Sequence, residues 1–100
     1  MTTIREIKKA NKDAGQHWFD DSTMEFFGTK LDKEVFEGPG GTFFVTSEKP
    51  PHGDRRWSVR VFDPETGGVS THGQFCGYAS RGKARWAARR AAMEVAHAGN

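Results

Sequence analysis

The side chains best suited to chemistry in this chain are basic, and they are concentrated near its C-terminus. The segment Ser80–Asn100 holds five of the fifteen Lys and Arg residues against a single acid, Glu94, and so carries a charge of +4. The rest of the chain has ten basic and twelve acidic side chains, a balance of −2. The five basic residues are Arg81, Lys83, Arg85, Arg89 and Arg90. Such a concentration of positive charge is typical of a surface that binds phosphate groups.

The order of residues in this segment predicts a helix with distinct sides. Ser80 is a suitable N-cap, because its hydroxyl can accept a hydrogen bond from a first-turn amide. One side is built mainly of small residues that allow close approach to a sheet: Ala84, Ala87, Ala88, Ala91 and Val95. A neighbouring stripe, spaced by four, contains Arg81, Arg85 and Arg89. A third stripe contains Trp86, Arg90 and Met93, and we expect Trp86 either to be covered by the first helix or to sit half exposed beside Arg90 as a cation–π pair.

Three explanations of the basic helix compete. It could be a solvated face, as most charged helix faces are, or it could bind phosphate or an acidic protein partner. Against the first, the five cations repel one another and have no acid four residues N-terminal to offset them. Those in the first turns also oppose the helix dipole. Because the arrangement is unfavourable in both ways, an incoming anion is the explanation that we develop.

The N-terminal part of the chain predicts two helices. Thr3 and Glu6 have the spacing of a capping box, and the apolar residues that follow predict a helix from Ile4 to Ala14, with Gly15 as its stop. Ser22 and Glu25 form a second candidate capping box before a short helix that ends near Gly28 or continues towards Lys33.

From there the apolar pattern changes to the two-residue period of strands. We predict a short edge strand at Lys33–Phe36, a strand at Thr42–Glu48, a well-alternating strand at Arg56–Phe62 and a weaker one at Val69–Phe75. The chain is therefore expected to be one α+β domain, residues 1–100, with an antiparallel sheet of three or four strands. An antiparallel sheet with one wet face needs helices on the other, so both long helices are predicted on one face.

Composition excludes several classes of function. Cys76 is the only cysteine, so no disulfide is possible within the chain, and the four histidines lack the spacing of metal ligands. No apolar run has the length of a signal peptide or a membrane span. We expect a cytoplasmic protein, in the host cytoplasm if a phage encodes it, with no metal, no cofactor and no membrane contact.

The sequence gives little reason to expect catalysis. His52 and Asp54 could form an acid–base pair, but no nucleophile accompanies them in any recognised motif. Cys76 is predicted to be buried filler, and Gly38–Gly41 lacks the Lys-Ser/Thr of a phosphate loop. Phe43 and Phe44 must point to opposite faces of their strand, so one is core and the other is covered or exposed. We therefore predict a protein that is not an enzyme and has no small-molecule substrate.

Two segments in the second half of the chain resemble a double-stranded-RNA-binding domain. Ser47–His52 (Ser-Glu-Lys-Pro-Pro-His) precedes a strand, like that family's first inter-strand loop, and Arg81–Arg85 (Arg-Gly-Lys-Ala-Arg) is similar to the lysine-rich start of its last helix. The resemblance implies a helix, three strands and a helix. It also implies that His52 reaches a minor groove while Arg81, Lys83 and Arg85 lie over phosphates, reading A-form shape rather than sequence.

The whole chain also resembles a family of small uncharacterised phage and prophage proteins. The likeness lies in Ile7–Gly15, Trp18-Phe19, Thr23–Phe27 and Gly40–Glu48. It implies a mobile-element accessory protein without implying an activity.

Together these observations predict a non-catalytic nucleic-acid-binding module, with duplex RNA as the first candidate ligand and duplex DNA as the second. The candidate binding residues are Arg81, Lys83, Arg85, Arg89 and His52. The alternative is a small phage-encoded protein that binds and modulates a host or defence protein, which predicts an exposed apolar patch near Phe44 or Phe36.

Overall fold

Residues 2–94 fold as a four-stranded antiparallel sheet accompanied by three helices. The structure, a computed structural model, describes residues 2–94. Its elements in chain order are α1 (Ile4–Asp13), α2 (Asp21–Phe26), β1 (Lys30–Gly38), β2 (Gly41–Glu48), β3 (Arg56–Phe62), β4 (Val69–His72) and α3 (Arg81–Met93). The strands are neighbours in sequence order, β1-β2-β3-β4, so the sheet is a simple meander. The predicted α+β class, with helices before and after an antiparallel sheet, is confirmed.

Local sequence signals explain most element boundaries. The Thr3 hydroxyl accepts from the Glu6 amide and the Glu6 carboxylate accepts from the Thr3 amide, so the predicted capping box of α1 is confirmed. The second capping box is wrong: α2 has Asp20 as its N-cap and already includes Ser22. β1 is longer than predicted, and β4 is shorter because Gly73, at φ +78°, turns the chain away after His72.

The two long helices lie on opposite faces of the sheet, which corrects the prediction that they share one face. Phe43 contributes to a core with the alanines of α3, whereas Phe44 contributes to a second core with Ile7 of α1. Both phenylalanines are buried, because successive residues of a strand point to opposite faces and each face has its own helix. The burial of β2 shows that both faces of the sheet are covered, because every residue from Phe43 to Glu48 is buried.

The α3 face is packed at short range. Ala84, Ala88 and Ala91 of the predicted small-residue stripe are buried in the core that contains Phe43 and Val45, and Ala92, which was not part of that stripe, is buried with them. The β1–β2 turn approaches the C-terminal end of this helix, where the Gly40 amide donates to the Ala92 carbonyl at 2.9 Å. This bond satisfies one of the helix's terminal carbonyls, and Glu94 is already extended. Val95 and His97, at the end of the predicted helical pattern, lie outside the described residues.

The α1 face combines an apolar core with a buried ion pair. Phe44 packs with Ile7 and Phe62 on one part of the face. Beyond them, the fully buried Glu48 carboxylate accepts from Arg60 Nη2 at 3.0 Å and from the Ser58 hydroxyl at 2.8 Å. The Arg60 guanidinium also donates to the hydroxyls of Thr46 and Thr71.

Aromatic rings enclose this ion pair. Arg60 Cζ lies 5.2 Å from the centre of the Trp18 ring and 5.3 Å from that of Phe75. The charge is therefore paired, hydrogen-bonded and covered by segments from the α1–α2 and β4–α3 connections, which ties both connections to the sheet.

Glycine at position 40 is required by the close approach of α3. A methyl group there would overlap the backbone oxygens of Ala91 and Glu94, so we expect Gly40→Ala to lower the free energy of unfolding by about 1–3 kcal/mol. The matched control is Gly82→Ala in the first turn of α3, where a methyl group meets no atom within 4 Å. Urea unfolding should find the control unchanged or more stable by about 0.5 kcal/mol. Equal stability of the two variants would contradict this packing.

Removal of the buried Glu48 carboxylate should lower the free energy of unfolding far more than removal of an exposed carboxylate. Glu48→Ala leaves the Arg60 guanidinium buried without its counter-charge, and we expect a loss of about 3–5 kcal/mol of unfolding free energy. The control is Glu34→Gln, which removes a half-exposed carboxylate and should change stability by less than about 1 kcal/mol. Chemical denaturation of both variants tests this, and a mild effect of Glu48→Ala would show that Arg60 is solvated.

Candidate functional site

The first turn of α3 and the β2–β3 connection lie at the same end of the sheet. Backbone hydrogen bonds join Trp57, at the start of β3, to Tyr78, just before α3, in both directions at 2.9 and 3.0 Å. Arg81 shares a hollow of about 230 Å³ with Lys30 and Arg55. The fold therefore brings basic residues from three separate segments to one place. We call this surface the cationic end and define it as Lys30, Lys49, Arg55, Arg81 and Lys83.

Arg81, Lys83 and Lys30 of the cationic end are exposed and make no ion pair within residues 2–94. Asp32, however, lines the same hollow as Arg81 and Lys30. Within residues 2–94, no carboxylate oxygen lies within 4 Å of the charged groups of Arg81 or Lys83. Both project from the first turn of α3, where the helix dipole adds positive potential. Their charges are therefore available to an anion from solvent.

The β2–β3 connection is held in place by its own basic residues. The Arg55 guanidinium donates to the Gly28 carbonyl at 3.0 Å and to the Ser47 hydroxyl at 3.0 Å, which joins the connection to the segment before β1. Lys49 Nζ donates to the Gly53 carbonyl across the turn. His52 is exposed on this connection. The predicted site residues His52, Arg81 and Lys83 thus lie at one end of the molecule.

Arg85, by contrast, is not free. Its guanidinium donates from Nε and Nη2 to the two oxygens of Asp32, at 2.6 and 2.8 Å, in a bidentate ion pair. The Asp32 side chain is only 11% exposed and that of Arg85 36%. The hydrogen bonds from Arg85 lower the pKa of Asp32, and the same contact raises the pKa of Arg85. The prediction that Arg85 is a phosphate ligand does not fit this geometry. The two N–H groups of the guanidinium that would bind a phosphate, Nε–H and Nη2–H, already donate to the Asp32 carboxylate.

Arg89 is partly compensated. Its guanidinium lies 5.6 Å from the centre of the Phe36 ring and 3.9 Å from the Glu34 carboxylate, while the side chain remains 70% exposed. At this distance and exposure the pairing is weak. Arg89 therefore remains accessible, but on the β1 flank of α3, beyond Arg85 and away from the cationic end.

An irregularity in β1 supplies both of these carboxylates. Leu31 pairs with Thr46 and Val35 with Phe44, so the residues between Leu31 and Val35 oppose the single residue Val45. Asp32 and Glu34 lie in this bulge, and both reach α3. Bulges commonly re-aim side chains in this way. No local pattern indicates the pairing of Asp32 with Arg85, because the two residues are 53 positions apart in the chain.

The other flank of α3 carries an exposed aromatic residue. The Trp86 side chain is exposed, and the Arg90 guanidinium lies 5.3 Å from the centre of its ring. Of the two arrangements expected for Trp86, the half-exposed cation–π pair is therefore confirmed. Arg90 Nε is also 3.7 Å from the Glu94 carboxylate, an exposed pair one turn apart.

The other candidate residues do not form a site in the described part of the chain. The Cys76 thiol is partly buried, and burial together with the nearby Glu48 carboxylate raises its pKa, which disfavours the reactive thiolate. Within residues 2–94, no three His, Cys, Asp or Glu side chains are grouped closely enough to hold a metal ion. None of the helices described there has the length and apolar content needed to cross a membrane.

Phe44 and Phe36, near which an exposed apolar patch was expected, are themselves buried, the first beneath α1 and the second beneath α3. Met93, which is exposed, lines a hollow with Val35 and Phe36. The other exposed large apolar side chains among residues 2–94 are Phe26, Phe75 and Trp86.

The chain belongs to a family of unknown function (DUF7447), whose profile matches residues 3–89. The matched region includes the whole sheet, the β2–β3 connection and the first two turns of α3. The chain matches no curated protein and no solved structure at a significant level.

The Asp32–Arg85 pair should make stability depend on pH in a defined direction. Because the pKa of Asp32 is lowered in the folded state, its contribution is fully present above the ordinary aspartate pKa of about 3.9 and is lost as the pH falls through the lowered folded value. Asp32→Asn should therefore be less stable than the wild type near neutral pH, with the difference shrinking below pH about 4.

Urea unfolding over a pH series measures this difference. The matched control is Asp54→Asn, which removes an exposed carboxylate of the β2–β3 connection. A constant difference between wild type and Asp32→Asn across the acid range would contradict the assigned ion pair.

Proposed function

We propose that this protein is a non-catalytic nucleic-acid-binding module that holds a duplex against the cationic end. Duplex RNA is the first candidate and duplex DNA the second. The observation that carries the proposal is the hollow that Arg81 shares with Lys30 and with Arg55 of the β2–β3 connection. Lys83 lies two residues further along α3, and no carboxylate oxygen of residues 2–94 is within 4 Å of the charged group of Arg81 or Lys83. This arrangement leaves positive charge uncompensated at a helix N-terminus, where phosphate is well accommodated.

The energetics of binding would come mainly from release of counterions. Each phosphate neutralised by Lys or Arg contributes about −0.9 to the slope of log K against log salt on a B-form duplex. Arg81 and Lys83 are both exposed, and a methyl group at Gly82 between them would meet no atom within 4 Å. A phosphate can therefore approach the first turn of α3 between the two side chains.

Two separate elements at one end of the molecule favour a duplex over a compact anion. The first turn of α3 supplies charge, while His52 is exposed on the β2–β3 connection, whose Arg55 shares a hollow with Arg81. In the domain that this region resembles, such a pair of elements spans adjacent grooves of A-form RNA. We assign phosphate contact to Arg81 and Lys83 and groove contact to His52. Arg89 is kept as a peripheral contact, and Arg85 is assigned to holding α3 against β1.

The phage resemblance extends the proposal to biological setting. We infer that the family is carried by mobile elements and acts in the host cytoplasm. Modulation of a host protein is the less favoured alternative, since Phe44 and Phe36 are buried and, within residues 2–94, the hollow beside Phe36 adds the single exposed apolar side chain of Met93.

The proposal is tested by replacing the two basic residues in the first turn of α3, Arg81 and Lys83. We expect the double variant Arg81→Ala/Lys83→Ala to bind a blunt RNA duplex of about 16 base pairs more weakly and to reduce the salt slope by about 2. Fluorescence anisotropy across a salt series, with RNA and DNA duplexes of the same sequence, measures both quantities.

The matched control is Lys8→Ala/Lys12→Ala on α1, which removes the same charge from exposed positions on the opposite face. Its salt slope should stay close to that of the wild type. Equal losses in the two double variants would show that only net charge matters, and no binding of either duplex at low salt would end the proposal.

A further inference from the structure

A groove runs between α3 and strand β4 on the α3 face. Helix α3 packs over β1, β2 and β3, so the corresponding side of the short strand β4 is left beside the helix rather than beneath it. The space has a volume of about 570 Å³, within the usual range of roughly 300–1,000 Å³ for ligand sites. We call it the β4 groove. The lining residues that matter here are His72, Tyr78, Lys83, Trp86, Arg90 and Glu94.

The aromatic walls of the β4 groove are held by the fold. Tyr78 is fixed by its two backbone hydrogen bonds to Trp57, and the His72 ring meets the buried Phe43 ring edge to face at 5.1 Å. Trp86 rises from the facing helix with 63% of its surface exposed. Rigid, exposed aromatic side chains of this kind are the surfaces on which unpaired nucleic-acid bases stack.

The charges of the β4 groove select an anionic occupant. Lys83 and Arg90 are its two cations, and Glu94, the acid among the lining residues, lies 3.7 Å from Arg90. Lys83 therefore has no counter-charge among residues 2–94. An apolar peptide would bury these cations without compensating them, whereas a nucleotide supplies both a ring and a phosphate.

The β4 groove begins at the same end of α3 as the cationic end, since Gly82 and Lys83 line the groove and the preceding Arg81 lines the hollow with Lys30 and Arg55. Lys83 belongs to both, because it lies in the first turn of α3 and also lines the groove. Trp86 follows one turn later on the same helix. A nucleic-acid strand whose phosphates contact the cationic end can therefore pass Lys83 and reach the indole ring of Trp86.

We propose that the β4 groove holds the unpaired bases of a single-stranded extension, so that the preferred ligand is a duplex that ends in an unpaired tail. This inference rests on the proposed function and adds the class of nucleic acid. Duplex phosphates lie on the cationic end, and the tail stacks on Trp86 with its phosphates near Lys83 and Arg90.

The test compares a blunt RNA duplex with the same duplex carrying a short oligouridine tail at either end. We expect the tail to tighten binding by about 5- to 100-fold, the range that corresponds to stacking of one base on an aromatic side chain. Trp86→Ala should abolish this increment while leaving affinity for the blunt duplex unchanged. Trp86→Phe, which keeps a stacking surface, should restore part of it.

Met93→Ala is the matched control, since Met93 is 61% exposed on the same helix but lines a different hollow beside Val35 and Phe36. It should retain the full increment. A tail that gives no increment, or an increment that survives in Trp86→Ala, would overturn the inference while leaving the proposed function intact. Failure to bind any duplex would remove both. A concentration-dependent dimer abolished by Trp86→Ala would assign the groove to a second copy of this chain and overturn the inference.

Discussion

The close contact between the alanine face of α3 and the sheet is the constraint on which the rest of the structure depends. Ala84, Ala88 and Ala92 have no atoms beyond Cβ, so the helix backbone can approach Phe43, Val45 and Val59 at short range. The Gly40 amide then reaches the end of the helix. The alanine contact sets the orientation of α3. One flank of the helix lies beside β1 and the other beside β4, and its first turn lies at the end of the sheet that carries the β2–β3 connection.

Electrostatic interactions divide the basic helix into parts with different roles. The bulge in β1 brings Asp32 and Glu34 to the β1 flank, where they compensate Arg85 and, more weakly, Arg89. The first turn receives no such partner within residues 2–94. The helix is thus neither a uniform docking surface nor a merely solvated face, because its charges are used structurally on one flank and left available at one end. On the other face of the sheet, the guanidinium of Arg60 is buried and paired with the Glu48 carboxylate.

Local patterns were sufficient to predict much of this fold. The capping box of α1, the alternation of Arg56–Phe62 and the alanine stripe of α3 each depend on neighbours in sequence, and each was confirmed. The placement of the long helices was wrong, because it was based on the general rule that an antiparallel sheet has one wet face, whereas the run from Phe43 to Glu48 is buried on both faces. The Asp32–Arg85 pair could not be foreseen, since it depends on a bulge and on a contact across 53 residues. The expected self-repulsion of the basic helix was therefore overestimated.

The most direct test of the account is to map the surface that contacts a duplex. Backbone amide chemical shifts can be followed while a blunt RNA duplex is titrated into the protein. We predict that the amides of the first turn of α3, around Arg81 and Lys83, and those of the β2–β3 connection around His52 shift together and saturate at the same concentration. Shifts confined to α1, where Lys8 and Lys12 lie on the opposite face, or no shifts at low salt, would contradict the claim that the cationic end is the binding surface.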